Sequence, residues 1–395
     1  MARGSPASPP WAELPDDALS EIAGRLHDAA DFVRFHAVCR PWRHAPPPPP
    51  PPPPRRPPSF LPCLIRLDGS SGSGTPAAVR LHSPFSSTKT AHRRHSTRAA
   101  WPNPALRGKM LESSDAGGGS VLALGYSDGG DRTAILVDPL TGDATALPRL
   151  PPTFSPGSSA WHSTSCAAFN NGVIVLHTRM VHGRHLAAIR LRPGGAGWED
   201  VDMAGYNDDD TLCLDDYGRR AAALCASGVL PGGERVAELP PKPAGDRYVL
   251  ESHGELLCVD VHYMLIPEGH AGETPAWMSA HALEVRGGGR PPEWVKRAHG
   301  RGIDHMCLFL NPTSNSGFAI DCRELAAGAD EVTGGCAYVV GCVKWTATER
   351  VYAVYRYSFK NGTAKIVETL PAPFDMRSIW YTPRPRIARL SPGCA

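Results

Sequence analysis

Long uncharged apolar runs are missing from this chain, so no stretch of it reads as a membrane-spanning helix. The opening residues, MARGSPASPPWAELPDD, lack the apolar core of a secretory signal. Charge of one sign is scarce too. Lys and Arg total 41 against 39 Asp and Glu, a formal charge of +2, which leaves neither the footprint of a nucleic-acid binder nor an acidic tail. Closely paired cysteines are absent. The 11 cysteines run singly from Cys39 to Cys394 with no CxxC, and even Cys336 and Cys342 have five residues between them, which excludes a zinc ribbon or a disulfide framework. Cys225, Cys258, Cys307 and Cys336 sit inside apolar runs, where a free thiol behaves as a small hydrophobe. The expected compartment is a reducing one, cytoplasm or nucleus.

Motifs that carry chemistry are equally sparse. No HExxH, GxSxG or GxxxxGK[ST] occurs. Gly117–Gly119 and Gly287–Gly289 read as hairpin turns, because no helical pattern follows either to make a phosphate cradle. The acidic run Asp208, Asp209, Asp210, Asp215 and Asp216 fits no EF-hand register and reads as a solvated turn. His177, His182 and His185 are close in sequence, yet no carboxylate is placed to orient them as metal ligands. The basic segment Lys89–Arg98 reads as an exposed loop. Trp198, Trp294 and Trp345 read as packing residues at third-strand positions. No catalytic residue, cofactor or metal is expected, and neither a nucleic acid nor a membrane as partner.

What is present begins at Trp11. In WAELPDDALSEIAGRLHDAADFVRFHAVCRPWR, Asp16 and Asp17 suit the first turn of a helix. Ala18, Leu19, Ile22, Ala23 and Leu26 then mark one helical face. Asp28 reads as the N-cap of a second helix, with Asp31 in the capping-box position. Phe32, Val33, Phe35, Val38 and Cys39 repeat the helical spacing until Pro41. Two such helices bury too little to stand alone, so a partner is expected to cover some of their apolar side chains. Leu14-Pro15, Leu19, Ile22, Leu26, Phe32, Val38-Cys39 and Trp42-Arg43 resemble the F-box signature, in order and at its spacing. That resemblance implies docking on the adaptor protein of a cullin-based ubiquitin ligase of the SCF type, through Leu14, Pro15, Leu19, Ile22, Leu26, Val38 and Trp42.

Residues 1–10 read as a disordered tail, 11–43 as this unit, and His44–Pro58 as a polyproline II spacer. From 59 to 395 short apolar runs alternate with Gly, Pro, Asn and Asp turns. The strands predicted are Val121–Leu124, Thr133–Val137, Gly172–His177, His185–Leu191, Ala221–Ala226, Glu255–Val261, His281–Val285, Met306–Leu310, Cys336–Val343, Val351–Phe359 and Ala364–Leu370. Arg323–Ala329 is predicted to form one helical turn. Four segments share a plan of strand, polar loop, strand, Gly-rich turn and short third strand: GSVLALGYSDGGDRTAILVDPLTGDATALPRL, the stretches beginning GVIVLHTRM and HGELLCVDV, and GCAYVVGCVKW through KIVETL. A repeat of that kind predicts a β-propeller of six or seven blades.

YVLESHGELLCVDV, WVKRAHGRGIDHMCLFLNPTSNSGFAIDCRELAAG and VYRYSFKNGTAKIVETLPAPFDMRSIWYTPRP resemble the KIB-type propeller of plant F-box proteins, as do LRGKMLESSDAGGGSVLALG and VDPLTGDATALPRLPP upstream. The likeness covers most of 59–390; NDDDTLCLDDYGRR within Tyr206–Leu230 departs from it. It implies a mainly β chain, a small helical F-box followed by a propeller, serving as a substrate-recognition subunit that performs no chemistry itself. Three rivals stand beside it. A propeller hydrolase would need Asp, Glu or His at channel positions, where the repeats carry apolar residues. A DNA-binding head built on Arg34, Arg40 and Arg43 would need a less apolar helix. The third is an interaction protein whose F-box is out of use.

Overall fold

The computed structural model describes residues 11–26, separate positions between 31 and 42, and most of 60–383, the longest omission being 201–245. The Asp28 cap, the proline spacer, the basic and acidic runs, His182, His185, Ala221–Ala226 and the departure at Tyr206–Leu230 lie outside the described residues. Within them the chain is mainly β, with one α-helix near its start and five antiparallel or mixed sheets.

Strands are numbered along the chain. The first sheet holds β1 (Cys63–Asp68), β2 (Ala78–His82) and β3 (Trp101–Pro102). The second is β4 (Lys109–Ser114), β5 (Val121–Tyr126), β6 (Arg132–Val137) and β7 (Ala144–Ala146). The third is β8 (Trp161–Ala168), β9 (Ile174–Met180), β10 (Ala187–Leu191) and β11 (Glu199–Asp200). The fourth is β12 (Asp246–Ser252), β13 (Glu255–His262), β14 (Trp277–Glu284) and β15 (Glu293–Lys296). Each of these last three is a meander of four antiparallel neighbours in chain order. The fifth sheet, from β16 (Met306–Asn311), β17 (Ser316–Asp321), β18 (Cys336–Trp345), β19 (Arg350–Ser358) and β20 (Thr363–Thr369), runs β17-β16-β18-β19-β20 with β16 and β18 parallel. β21 (Ile379–Tyr381) then returns to the first sheet and pairs with β1, Leu64 opposite Trp380.

Burial explains the strand composition. β13 and β14 are covered on both faces except at their ends, and such strands read as near-continuous apolar runs rather than alternating ones. Successive sheets share cores. Sheets four and five pack through Tyr248, Val259, Ala280, Leu308, Val339 and Tyr355. The opposite face of sheet five meets sheet one through Phe309, Tyr338, Phe85 and Trp380, the Phe309 and Tyr338 rings stacked at 5.1 Å. Ile65, Val79 and Tyr381 carry sheet one onto Val121 and Val137 of sheet two. Leu122 and Leu124 carry sheet two onto Ile174 and Leu176 of sheet three. The row thus runs four, five, one, two, three. No packing of sheet three on sheet four is seen among the described residues, so ring closure is not shown.

One edge strand of each sheet converges on a shared centre: β4 touches β21, β8 and β17, and β17 touches β12. Each predicted repeat is three consecutive strands of one sheet, and the strand nearest the centre lies upstream of it. Trp198 packs where sheets two and three meet and donates from Nε1 to the Pro148 carbonyl at 2.9 Å. Trp294 is buried on β15, the third strand of its repeat and the fourth of sheet four, whereas Trp345 ends β18, the first strand of its repeat. The turn predicted near Arg323 is a single 3-10 turn, Cys322–Glu324, capped by the Asp321 carboxylate.

Candidate functional site

The N-terminal unit is assembled around α1 (Asp16–Gly24). Pro15 precedes it at φ −59°, already set for a helix start, and its carbonyl accepts from the Leu19 N–H at 3.0 Å. Asp16 and Asp17 occupy the first turn, where carboxylates offset the positive helix end. At the other end Arg25 and Leu26 donate back to the Ile22 and Ala23 carbonyls at 3.1 and 3.2 Å and close the helix. Leu19 and Ala23 face inward onto Phe35, and Leu14, Leu26 and Trp42 pack around that centre. The Phe35 and Trp42 rings lie 4.6 Å apart at 37°. Trp42 Nε1 donates to the Trp11 carbonyl at 2.8 Å, which ties the two ends of the unit together.

This packing sorts the seven residues assigned to docking. Leu19 is wholly buried and forms the core of the unit. Leu14, Leu26 and Trp42 are half-buried against it. Pro15 is exposed, as are Ile22 at 38% and Val38 at 59%. Trp11 joins them at 59% exposure; the sequence reading placed it in the unit without assigning it to the surface. Of the five large hydrophobic side chains exposed among the described residues, three are therefore in this unit. Exposed ion pairs, Arg25 with Glu21 and Arg34 with Asp31, add polar groups to the same unit.

Among the described residues no group of three or more His, Cys, Asp or Glu side chains is placed to hold a metal ion. No helix there is long and apolar enough to cross a membrane. No disulfide joins the described thiols, and burial pushes the Cys258 thiol up to about 12.

No protein-family model matches the chain, and no curated protein does. Solved structures do match it. The catalytic domain of a GH62 alpha-L-arabinofuranosidase from Coprinopsis cinerea is 9% identical, with 83% of this chain and 90% of that one covered, at a TM-score of 0.25. A triple arginine-to-alanine mutant of AofleA from Arthrobotrys oligospora is 11% identical over 81% and 90% of the two chains, also at 0.25. The expectation that the chain performs no chemistry is corrected by these matches, the first of which is a catalytic domain. Its premise fails as well. The apolar residues that argued against channel carboxylates belong to the repeats, whereas the strands nearest the centre lie upstream of them. At that TM-score neither likeness assigns an activity.

Proposed function

We propose that this protein is the substrate-recognition subunit of a cullin-based, SCF-type ubiquitin ligase in the cytoplasm or nucleus. Residues 11–43 act as the F-box that docks the cullin adaptor, and 59–395 act as a KIB-type β-propeller that binds the target. The observation that carries the docking half is the exposure of Trp11, Ile22 and Val38 on a unit whose described core is Leu19, Ala23 and Phe35. A short helical unit that leaves this much apolar surface exposed is completed by a partner. Support for the propeller comes from five sheets packed in a row, one edge strand of each at a common centre, and the pairing of β21 with β1. In such a receptor the contribution is proximity: the bound target's lysines are held at high effective concentration near the charged conjugating enzyme.

The test is capture of the purified cullin adaptor by the full-length protein, beside an Ile22→Asp/Val38→Asp variant. Both side chains are exposed, so the variant keeps its fold, and two carboxylates buried in an apolar contact should cost on the order of a hundredfold in affinity. Adaptor bound by the wild type and lost by the variant is the expected result. A folded wild-type protein that captures no adaptor would sink the ligase reading and leave an interaction protein with an idle F-box.

A further inference from the structure

Where sheets four and five meet, their shared core ends in an open cleft of about 290 Å³, near the lower limit for small-molecule sites. One wall is the start of β14, the second the turn that follows β15, and the third the β19–β20 turn. Trp277 stands at its mouth, half exposed although most aromatic side chains of these sheets are buried. Its ring is braced by His262, centroids 4.5 Å apart at 51°, and the Lys296 ammonium sits 5.9 Å from the ring centre. The floor is apolar: Tyr357 and Phe359 are buried edge to face at 5.3 Å.

Among the described residues, charge in this cleft has one sign: Lys296, His299 and Lys360 are exposed on its walls, and no described aspartate or glutamate lines it. Because the whole chain is nearly neutral, that is local placement rather than overall composition. The walls are also stiff. His299 is held at φ 54°, a conformation uncommon outside glycine, and Gly300 follows at φ 74° so close to Phe359 that an added Cβ would come within 3.2 Å. Arg297 is engaged elsewhere, donating to Glu284 at 3.2 Å and lying 3.7 Å from Glu255.

We propose that this cleft binds an acidic peptide segment of a partner protein, an apolar side chain resting on the Trp277 ring and carboxylates meeting Lys296 and Lys360. The ring supplies a rigid apolar platform, and ammonium groups pair with carboxylates as point charges. A phosphorylated segment is the weaker fit, since phosphate recognition draws on free arginine forks and the local fork is occupied. Among the described lining residues a sugar would find no carboxylate to accept its hydroxyl protons. That the segment belongs to a ubiquitination target rests on the ligase reading; the peptide contact does not.

The experiment is fluorescence anisotropy of the full-length protein with a short fluorescein-labelled peptide in which Asp alternates with Leu. Matched peptides replace every Asp by Asn, every Asp by phosphoserine, or every Leu by Ser. The Asp–Leu peptide should bind best, and the Asn and Ser peptides weakly. Trp277→Ala should weaken binding about tenfold, the scale of losing one aromatic anchor. Lys360→Glu, on an exposed turn where folding is not at stake, should weaken it roughly fivefold at low salt and less at high salt. The Ile22→Asp/Val38→Asp variant should bind the peptide as the wild type does, whatever becomes of adaptor capture. Absence of binding by the wild type, or equal binding by both cleft variants, overturns the proposal, and so does preference for the phosphoserine peptide.

Discussion

Replacing Asp260 by Asn should be among the most damaging single changes in the β body. Arg247 on β12 and Asp260 on β13 are directly paired in register, with side chains 0% and 3% exposed. The guanidinium reaches the carboxylate twice, from Nε to Oδ1 and from Nη2 to Oδ2, the latter at 3.1 Å. Neutralising the carboxylate leaves a buried positive charge without its counter-charge, which costs about 3–5 kcal/mol. A body of 150–250 residues loses about 2–4 °C per kcal/mol and a longer one somewhat less, so the melting midpoint of this β body should fall by several degrees. The diagnostic partner is Arg247→Met/Asp260→Leu, which removes both charges together and should melt close to the wild type. Thermal unfolding followed by near-ultraviolet circular dichroism reads both. An Asp260→Asn protein within about 1 kcal/mol of wild type, or a double variant as damaged as the single one, would refute the reasoning.

Three further outcomes follow from the packing. Leu19→Ala should cost about 2–5 kcal/mol, enough to melt a short helical unit packed around Leu19, Ala23 and Phe35, and limited proteolysis should cut near the N-terminus while the β body survives. Thiol labelling at pH 8 with peptide mapping should modify half-exposed Cys39 early and Cys258, whose thiol is pushed up to about 12, only after unfolding; early labelling of Cys258 would contradict its burial. Burial lowers the His281 pKa below its ordinary 6.5, with the Lys296 and Arg247 charges adding to the shift and Asp260 opposing it. The unfolded chain therefore takes up a proton first, and stability should fall as pH drops through about 6.5 towards the lowered folded value. His281→Gln should flatten that slope, and an unchanged slope would assign the pH dependence to other groups.

The sequence pattern was legible where strands are apolar and turns carry glycine. Val121–Tyr126, Glu255–His262 and Cys336–Trp345 fall where predicted, and Asn361-Gly362 marks the β19–β20 turn with Gly362 at φ 64°. Legibility failed where strands bury polar groups. β14 was predicted from His281 onward, yet it begins at Trp277, because Ser279 and His281 are buried on the face that also holds Arg247 and Asp260. β4, β8 and β12 escaped for a related reason: KMLESS, WHSTSCAA and DRYVLES lack the run of branched apolar residues that marks their neighbours. The β1 and β2 strands were hidden by Arg66 and Arg80, cross-strand neighbours in a pair whose other positions are largely apolar. At the N-terminal unit, spacing alone found the helix and its apolar face. Which of those residues form the core and which remain outside depends on Phe35 and Trp42 coming back over α1, a tertiary fact no local pattern carries.

The pairing of β21 with β1 bears on how the protein is made. During synthesis β1 emerges early, but the strand that completes its edge is Ile379–Tyr381, more than three hundred residues later. Until then the edge is open and able to recruit a foreign strand. A ribosome that stops short of Ile379 releases a chain in which Leu64 and Ile65 are paired with β2 on one side and have no strand on the other, although every other sheet could be whole. The finished fold is thus a check on completeness: truncated products are sticky along one identifiable edge, and only a full-length chain seals it.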